Sequence, residues 1–273
     1  MAINEQDVVE RNSYGRDIVF IVDKIIETYP ENIAILKGLT IRITADAPIS
    51  DLSLVTKQKE DECLRSLDNR INNLANKIKK IKDNKKRNDG VRIEYNGSIL
   101  HLEGDKRYTS KSVKYYKQLG LNAVVKHIPE SEQAELIIGL LDRYKPDVLI
   151  ITGHDAMIKK GRDYNDINNY RNSKHFVNTV RNARKWGRNS CDLVIFAGAC
   201  QSYFEAIMRA GADFASSPGR ILIDFIDPLI VAEKVATTDI NKYVTITQIV
   251  EELKEGRAGI GGVGVRGKKR NVI

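Results

Sequence analysis

The strongest strand-to-helix signal in the chain is Asp192-Leu193-Val194-Ile195-Phe196-Ala197-Gly198-Ala199-Cys200-Gln201-Ser202. A short apolar, β-branched run is typical of a buried strand; here it breaks at small residues, and a helical pattern follows from Tyr203 to Ala210. The Cys200 thiol is therefore predicted at the carboxyl end of a strand and the amino end of a helix. Because a helix N-terminus favours negative charge, it favours the thiolate, which is the nucleophilic form of cysteine.

A second stretch has the same shape and reads Asp147-Val148-Leu149-Ile150-Ile151-Thr152-Gly153-His154-Asp155. If the two strands are neighbours in one parallel sheet, His154 and Cys200 emerge at the edge where ligands of open α/β sheets bind. Gly153 would permit a substrate to approach the backbone closely. Cys191 lies at the opposite end of its strand and is predicted not to share this edge. The central hypothesis is a Cys200–His154 pair.

This pair predicts a nucleophilic mechanism. Cys200 would attack, and His154 would maintain the thiolate and then protonate the leaving amine. Backbone N–H groups near Gly153 and at Cys200 would hold the developing oxyanion. Two other histidines, His101 and His127, lie inside predicted strands. A third, in Ser173-Lys174-His175-Phe176, opens a predicted helix and is a weaker rival to His154. The pattern alone leaves open that His154 and Cys200 are buried structural residues.

Composition limits the class of protein. The 273 residues are 42% hydrophobic and 29% charged, which is enough for one sizeable core and a smaller appended unit. No apolar run approaches the roughly 20 residues that span a bilayer, and the N-terminus lacks a signal pattern, so we expect a cytoplasmic protein. The three cysteines have no CxxC spacing, and neither a disulfide framework nor a metal site is expected. A GxGxxG match at 259–264 lacks the strand and helix of a dinucleotide site, so no cofactor is predicted.

The basic balance does not predict a nucleic-acid partner. The formal charge is +8, and much of the excess lies in Lys77–Arg87 and in Arg266–Arg270. Basic segments in linkers and tails are usually solvated, and no aromatic residues are interleaved with the first of them.

The chain divides into three parts by pattern. Residues 1–56 contain short predicted strands at 17–22, 32–36 and 39–44, with a tight turn at Lys37-Gly38, and predict a small SH3-like β-barrel. Residues 57–90 predict a charged amphipathic helix followed by a linker; the helix, over 57–83, could pack on a domain or on a second copy. Residues 91–273 alternate strand and helix, which predicts an α/β domain with a mostly parallel sheet flanked by helices.

Two motifs resemble those of a known family. A strand ending in Gly-His, followed later by a strand ending in a small residue and Cys, resembles the caspase-like cysteine peptidases. More closely, the chain is similar to the YabG family of sporulation peptidases. This similarity rests on the strings 148–156, 170–177, 194–202 and 209–218, together with 34–36 and 42–46.

The resemblance implies a cysteine endopeptidase that is active late in sporulation, in the mother cell, and association with the spore coat is also expected. It implies cleavage of spore-coat and related proteins after Arg, with Cys200 as nucleophile and His154 as its partner. The wider pattern has a glycine after the histidine, whereas this chain has Asp155, whose N–H becomes an expected oxyanion donor. The alternative is a non-catalytic scaffold for spore-coat assembly.

The resemblance also suggests where arginine is recognised. A buried carboxylate is expected in the S1 pocket, because it pairs with a guanidinium in bidentate fashion. Arginine-cutting relatives place an aspartate after the helix of the nucleophile, which makes Asp224 the first choice and Asp227 the second; Asp155 is a third. Self-cleavage is expected in exposed basic stretches, with candidates at Arg87, Arg11 and Arg16.

Overall fold

The structure, a computed structural model, describes residues 2–89, 93–158, 163–186 and 192–272. Its N-terminal part contains a five-stranded antiparallel sheet in the order β4-β3-β2-β1-β5. The strands are β1 (Val8–Arg11), β2 (Val19–Ile26), β3 (Ile33–Gly38), β4 (Thr44–Pro48) and β5 (Leu52–Leu54). Buried and partly exposed residues alternate along β3, as expected for a sheet with one face on a core. Closure of this sheet into an SH3-like barrel stays a prediction.

One predicted strand in this region is wrong. Residues 39–44 were expected to form a strand after a turn at Lys37-Gly38, but Lys37 pairs with Thr44 and the intervening residues leave the sheet. Gly38 allows this course, since a Cβ there would lie 2.4 Å from the Ile41 carbonyl oxygen. We call residues 38–43 the cleft loop.

A long helix, α1 (Lys57–Asp89), follows the sheet. Its apolar stripe packs on the chain itself, with Leu67 and Ile71 buried in the core of the second sheet. This packing within the chain is one of the two arrangements expected for the helix; the other, a second copy bound through 57–83, stays a prediction. The basic stretch predicted as a linker lies within the last turns of this helix up to Asp89, while Gly90 lies outside the described residues.

The rest of the chain forms an α/β unit around a six-stranded sheet with the order β8-β7-β9-β10-β11-β13, parallel except for the edge strand β13. Its strands are β7 (Ile99–Glu103), β8 (Ala123–His127), β9 (Val148–Thr152), β10 (Val194–Ala197), β11 (Phe214–Ser216) and β13 (Ile260–Gly262). Two small antiparallel pairs complete it: β6 (Ile93–Tyr95) with β15 (Arg270–Val272), and β12 (Tyr243–Val244) with β14 (Val265–Arg266).

Helices cover both faces of this sheet. They are α2 (Lys106–Gln118), α3 (Glu130–Tyr144), α4 (Ser173–Arg184), α5 (Phe204–Arg209), α6 (Asp227–Thr237), α7 (Ile246–Val250) and α8 (Gly256–Gly259). Successive strand residues point to opposite faces, so Ile150 joins the core under α2 and α6, and Ile151 joins the core under α3 and α4. The mixed α/β fold with a mostly parallel sheet is confirmed.

The strand order locates a binding crevice. Numbered along the chain, the five parallel strands β8-β7-β9-β10-β11 have the spatial order 2-1-3-4-5. The direction in which strands are added to the sheet therefore reverses between β7 and β9. In such sheets ligands bind outside the carboxyl ends of the strands at this switch point. Glu103 ends β7 and His154 follows β9, so both border the crevice. Among the described helices, none is both long and apolar enough to cross a membrane.

Candidate active site

The two residues predicted as a pair follow neighbouring parallel strands. Ile151 of β9 pairs with Ala197 of β10, and His154 and Cys200 each lie three residues beyond these partners. Because adjacent strands are about 4.8 Å apart, the two segments leave the sheet side by side. Both side chains are buried, with 1% of His154 and none of Cys200 exposed. The site is therefore closed to solvent.

The His154 imidazole contacts an aromatic ring and lies near a carboxylate. It stacks on the Tyr108 ring, with 5.3 Å between ring centroids, and its Nδ1 lies 3.9 Å from a carboxylate oxygen of Asp105. Neither ring nitrogen has a hydrogen-bond partner among the described residues. Burial lowers the pKa of His154 to about 3, although the charge of Asp105 raises it. The imidazole is thus neutral, and one of its two ring nitrogens carries no proton.

The Cys200 thiol contacts the backbone of Ile223. Its Sγ accepts a hydrogen bond from the Ile223 N–H at 3.3 Å and donates one to the Ile223 carbonyl at 3.6 Å. The next helix begins at Phe204 rather than directly after the cysteine, so the expected stabilisation of a thiolate by a helix N-terminus is weak. Burial instead raises the pKa of the Cys200 thiol to about 12. In this closed form the thiol, like the imidazole, is neutral.

Two backbone donors converge on one carbonyl oxygen. The amide nitrogens of Cys200 and Asp155 lie 3.2 and 3.3 Å from the carbonyl oxygen of Arg42, and both donate to it. Two N–H groups on one carbonyl oxygen are the arrangement that stabilises an oxyanion during acyl transfer. Gly153, the other expected donor, is not part of this pair.

Gly153 has a different role, because its lack of a side chain leaves room for the Glu130 carboxylate. A Cβ at this position would lie 2.1 Å from a carboxylate oxygen of Glu130, at the start of α3. That carboxylate accepts a hydrogen bond from the His154 N–H at 2.6 Å. Burial raises the pKa of Glu130 to about 7, although the bond from His154 lowers it. Glu130 thus fixes the backbone at the turn that carries the histidine.

The Asp155 carboxylate organises the other side of the turn. It accepts hydrogen bonds from the hydroxyls of Ser173 (2.5 Å) and Ser202 (2.9 Å), and from the backbone N–H groups of Asn172 (2.8 Å) and Ala156 (2.9 Å). Since Ser202 lies two residues after the cysteine, this carboxylate ties the histidine segment to the cysteine segment. With both oxygens engaged, Asp155 has little capacity left to bind a substrate arginine.

The cleft loop runs through the site in an extended conformation. Phe225 donates a backbone hydrogen bond to the Thr40 carbonyl, and Thr44 donates one to the Asp155 carbonyl, each at 3.2 Å. The loop also forms β-bridges on both sides, from Ile41 to Asp224 and from Ile43 to Asp155. It therefore lies like an added strand between the segment after His154 and the segment around Phe225.

The Arg42 side chain occupies a closed pocket, while its carbonyl oxygen contacts the amide nitrogens of Cys200 and Asp155. Its side chain is fully buried and forms an ion pair with the Glu103 carboxylate. The guanidinium also lies 3.4 Å from the Phe225 carbonyl oxygen, and its carbon is 5.0 and 4.9 Å from the ring centroids of Tyr108 and Phe225. A carboxylate, a carbonyl and two aromatic rings thus surround the guanidinium, while its Nε has no hydrogen-bond partner among the described residues.

Glu103 is held in place by further donors. Its carboxylate accepts hydrogen bonds from the Thr152 hydroxyl at 2.9 Å and from the Asp105 N–H at 3.1 Å. Burial raises its pKa, whereas the charge of Arg42 lowers it. An isolated buried carboxylate is costly, so a cation in this pocket stabilises the charged form of Glu103.

The two carboxylates expected to recognise a substrate arginine contact an arginine of α1 instead. Asp224 forms an ion pair with Arg70 of α1, and a carboxylate oxygen of Asp227 lies 3.4 Å from the same guanidinium. Burial and then the charge of Asp224 raise the pKa of Asp227 to about 7. The assignment of Asp224 and Asp227 to the S1 pocket stays a prediction.

The remaining histidines and cysteines lie apart from this constellation or serve other contacts. His101 is buried and bonded to the Thr152 hydroxyl at 2.6 Å and to the Tyr116 hydroxyl at 3.1 Å. His127 is exposed at the end of β8, and His175 is half-buried in the first turn of α4. Cys63 lies on α1, and Cys191 lies outside the described residues. Across the parts of the chain that are described, no group of three or more His, Cys, Asp or Glu could hold a metal ion.

Four contributors were missed by sequence reasoning: Arg42, Glu103, Tyr108 and Glu130. Glu103 carried a usable signal, since it ends a predicted strand at the same sheet edge as His154. The other three acquire their roles only through packing between distant segments.

Comparison with known proteins relates this chain to one peptidase family. A family model described as YabG peptidase U57 matches residues 4–273. The chain is 37% identical over 276 residues to the sporulation-specific protease YabG of Bacillus subtilis (strain 168), covering 97% of this chain and 95% of that protein. Among solved structures, the A domain of carboxylic acid reductase from Segniliparus rugosus matches with a TM-score of 0.28 and 11% identity, over 76% of this chain and 24% of that one; this likeness carries no argument.

Proposed function

The chain belongs to the YabG peptidase U57 family, and we propose that it is a cysteine endopeptidase of sporulation that cuts protein chains after arginine. The observation that carries this proposal is a peptide carbonyl, that of Arg42, held by the N–H groups of Cys200 and Asp155 while its arginine side chain fills a buried pocket. The parallel sheet with His154 and Cys200 beyond adjacent strands also supports a caspase-like architecture.

In the proposed mechanism, Cys200 and His154 act as a dyad. The neutral thiol transfers its proton to the imidazole as the sulfur attacks the carbonyl carbon of the bond to be cut. The N–H groups of Cys200 and Asp155 stabilise the oxyanion. His154 then protonates the departing amine, and a water molecule hydrolyses the thioester with His154 as base.

Preference for arginine follows from the chemistry of the pocket. A lysine would offer a compact ammonium, which cannot match both the carboxylate and the flat aromatic surfaces that the guanidinium contacts. We therefore expect cleavage after arginine to be faster than after lysine. Asp224 and Asp227 remain candidate specificity residues from the family resemblance.

The biological setting is part of the proposal. The relative named sporulation-specific protease supports a role in sporulation, with spore-coat and related proteins as substrates in the mother cell and self-cleavage as a further activity. One observation favours the alternative, a non-catalytic coat scaffold: the Cys200 thiol is fully buried and its pKa is raised by that burial.

A peptide assay separates these functions. Fluorogenic peptides ending in Arg, Lys or Glu are incubated with wild type, Cys200→Ala and the matched control Cys63→Ala. The same set is assayed in an Arg42→Gln background, which empties the pocket of its guanidinium. Hydrolysis after Arg should fall by at least about a thousandfold in Cys200→Ala and remain in Cys63→Ala. Equal rates for Cys200→Ala and its parent would overturn the peptidase proposal.

A further inference from the structure

The cleft loop points to a specific self-cleavage event. We propose that the Arg42–Ile43 bond is the enzyme's own substrate, cut within the same molecule, and that Glu103 is the carboxylate by which the pocket recognises arginine. This inference rests on the peptidase function proposed above. It differs from the expected cuts at Arg11, Arg16 and Arg87 in both position and molecularity.

The first support is the extended course of the loop. Peptides recognised through their backbone bind by adding a strand to an existing edge. The cleft loop does this on both sides of the bond: Thr40 accepts from Phe225 before it, and Thr44 donates to Asp155 after it. The Arg42–Ile43 bond lies between these two anchors, where a substrate would be cut.

The second support is the position of the carbonyl group. Its oxygen accepts from Cys200 and Asp155, so the carbonyl carbon lies next to the segment that carries the thiol. The Tyr108 ring links this region to the histidine, because it stacks on His154 while its hydroxyl donates to the Gly38 and Ile41 carbonyls at 2.7 and 2.9 Å. The loop is held in register from both ends.

The third support is the complete burial of an arginine on a hairpin loop. Such a residue is normally exposed, and burying its charge is unfavourable unless a partner compensates. Here the compensating groups, Glu103, Tyr108 and Phe225, all come from the α/β unit rather than from the N-terminal sheet. The pocket is therefore a feature of the α/β unit that this arginine fills.

Self-cleavage of the Arg42–Ile43 bond consumes one water molecule and needs no other reactant. The Cys200 sulfur bonds to the Arg42 carbonyl carbon, and the thiol proton passes to His154. The carbon–nitrogen bond to Ile43 breaks as that nitrogen takes the proton from His154. Water then adds to the thioester, and the products are a carboxylate at Arg42, a free amine at Ile43 and the restored thiol.

The cut would leave two fragments joined by the sheet. Residues 1–42 keep β1, β2 and β3, while residues 43–273 keep β4, β5 and the α/β unit. The pairs β3–β4 and β1–β5 still connect them. The new C-terminal Arg42 is no longer tethered to Ile43, so it can leave the pocket and admit another substrate.

Intact-mass measurement and N-terminal sequencing test the bond. Wild type should yield fragments 1–42 and 43–273, the second beginning Ile43-Thr44-Ala45, with a rate constant independent of protein concentration. Cys200→Ala and Arg42→Gln should both stay uncut at this bond. The control Arg16→Gln, which changes an exposed arginine between β1 and β2, should be cut at Arg42 like wild type.

The outcomes separate this inference from the peptidase proposal. If Arg42→Gln hydrolyses arginine peptides through Cys200 while wild type stays joined at 42–43, the peptidase stands and the internal substrate is overturned. Cuts confined to Arg11, Arg16 or Arg87, or a rate that rises with protein concentration, would also overturn it. If no variant hydrolyses arginine peptides and wild type is uncut, both proposals fail.

The role of Glu103 is tested in the Arg42→Gln background, because Glu103→Gln there leaves no unpaired buried charge. Peptides ending in Arg are compared with peptides ending in citrulline, its uncharged analogue. We expect Glu103→Gln to reduce the ratio of kcat/KM for these two peptides by about a hundredfold. Glu103→Asp should recover part of the ratio, and Asp224→Asn should keep it. An unchanged ratio in Glu103→Gln, or a loss in Asp224→Asn instead, would overturn the assignment.

Discussion

The carbonyl oxygen of Arg42 lies 3.2 Å from the amide nitrogen of Cys200, where the proposed mechanism places the carbonyl of a substrate. The contact joins the N-terminal sheet to the site of the α/β unit. Cys200 and Ile223 pack in one apolar cluster with Val22 and Leu36 of the first sheet. Opening the site for another protein therefore requires the cleft loop to leave, which Arg42→Gln favours because it removes the ion pair with Glu103.

Gly153→Ala should disturb the histidine turn. Its new methyl group would lie 2.1 Å from the Glu130 carboxylate, which must then release the His154 N–H. We expect peptide hydrolysis to fall at least about tenfold and the free energy of unfolding to fall by about 1–3 kcal/mol. Activity and chemical denaturation are the measurements.

The control is Gly139→Ala, in the middle of α3 where a Cβ meets nothing within 4 Å. Alanine favours a helix over glycine, so this variant should be more stable by up to about 1 kcal/mol with unchanged activity. Equal behaviour of the two variants would contradict the steric role of Gly153.

Tyr108→Phe should loosen the cleft loop. It keeps the ring on His154 but removes the hydroxyl that donates to Gly38 and Ile41, which costs about 1–3 kcal/mol if their carbonyls lose a buried donor. In a Cys200→Ala background, which prevents self-cleavage, added trypsin should cut after Arg42 several times faster than in the parent.

Tyr115→Phe is the matched control on the same helix. Its hydroxyl donates to Asp68 of α1 at 2.7 Å, away from the cleft loop. Trypsin should therefore cut after Arg42 no faster than in the parent. If both tyrosine variants expose Arg42 equally, the anchor assigned to Tyr108 is wrong.

Acid should destabilise the protein through His154. Its pKa is about 3 in the folded chain against an ordinary value of 6.5, so the unfolded chain binds more protons between these values. Stability from this residue therefore falls as pH falls through that window. Between pH 7 and pH 5, a protein with His154 should lose about 2 kcal/mol relative to its His154→Asn variant, both in a Cys200→Ala background.

Nearby carboxyl groups act in the opposite direction, which makes the comparison necessary. Burial raises the pKa of Asp155 to about 6 and of Glu130 to about 7, so the folded chain holds their protons more tightly and gains stability on acidification. Both variants keep these groups, and the difference isolates His154. Denaturant unfolding at pH 7, 6 and 5 measures it, and a difference independent of pH would contradict the neutral buried imidazole.

The sequence was sufficient to predict the frame of the site. Apolar runs that end at Gly153-His154 and at Ala199-Cys200 are local signals, and parallel pairing of β9 with β10 places both residues at one edge as expected. The same reasoning could have included Glu103, because it ends the strand on the other side of β9.

Sequence patterns could not predict that the cleft loop occupies the site. Residues 39–44 alternate like a strand, and this pattern alone predicts a strand after a turn rather than a loop that enters a cleft. Only the packing of two distant units shows that this loop enters the cleft and that its arginine meets Glu103. The protonation states also depend on tertiary packing, since burial raises the pKa of the Cys200 thiol and counteracts the expected thiolate.

The central claim is that Cys200 is a nucleophile directed to arginine, and active-site labelling tests it most directly. Arg42→Gln is treated with a peptidyl-arginine chloromethyl ketone, and the adduct is located by peptide mass spectrometry. We predict one adduct, on Cys200, that forms at least about a hundredfold more slowly when His154 is changed to Ala. Labelling of Cys63 at the same rate as Cys200, or no adduct on Cys200, would contradict the account.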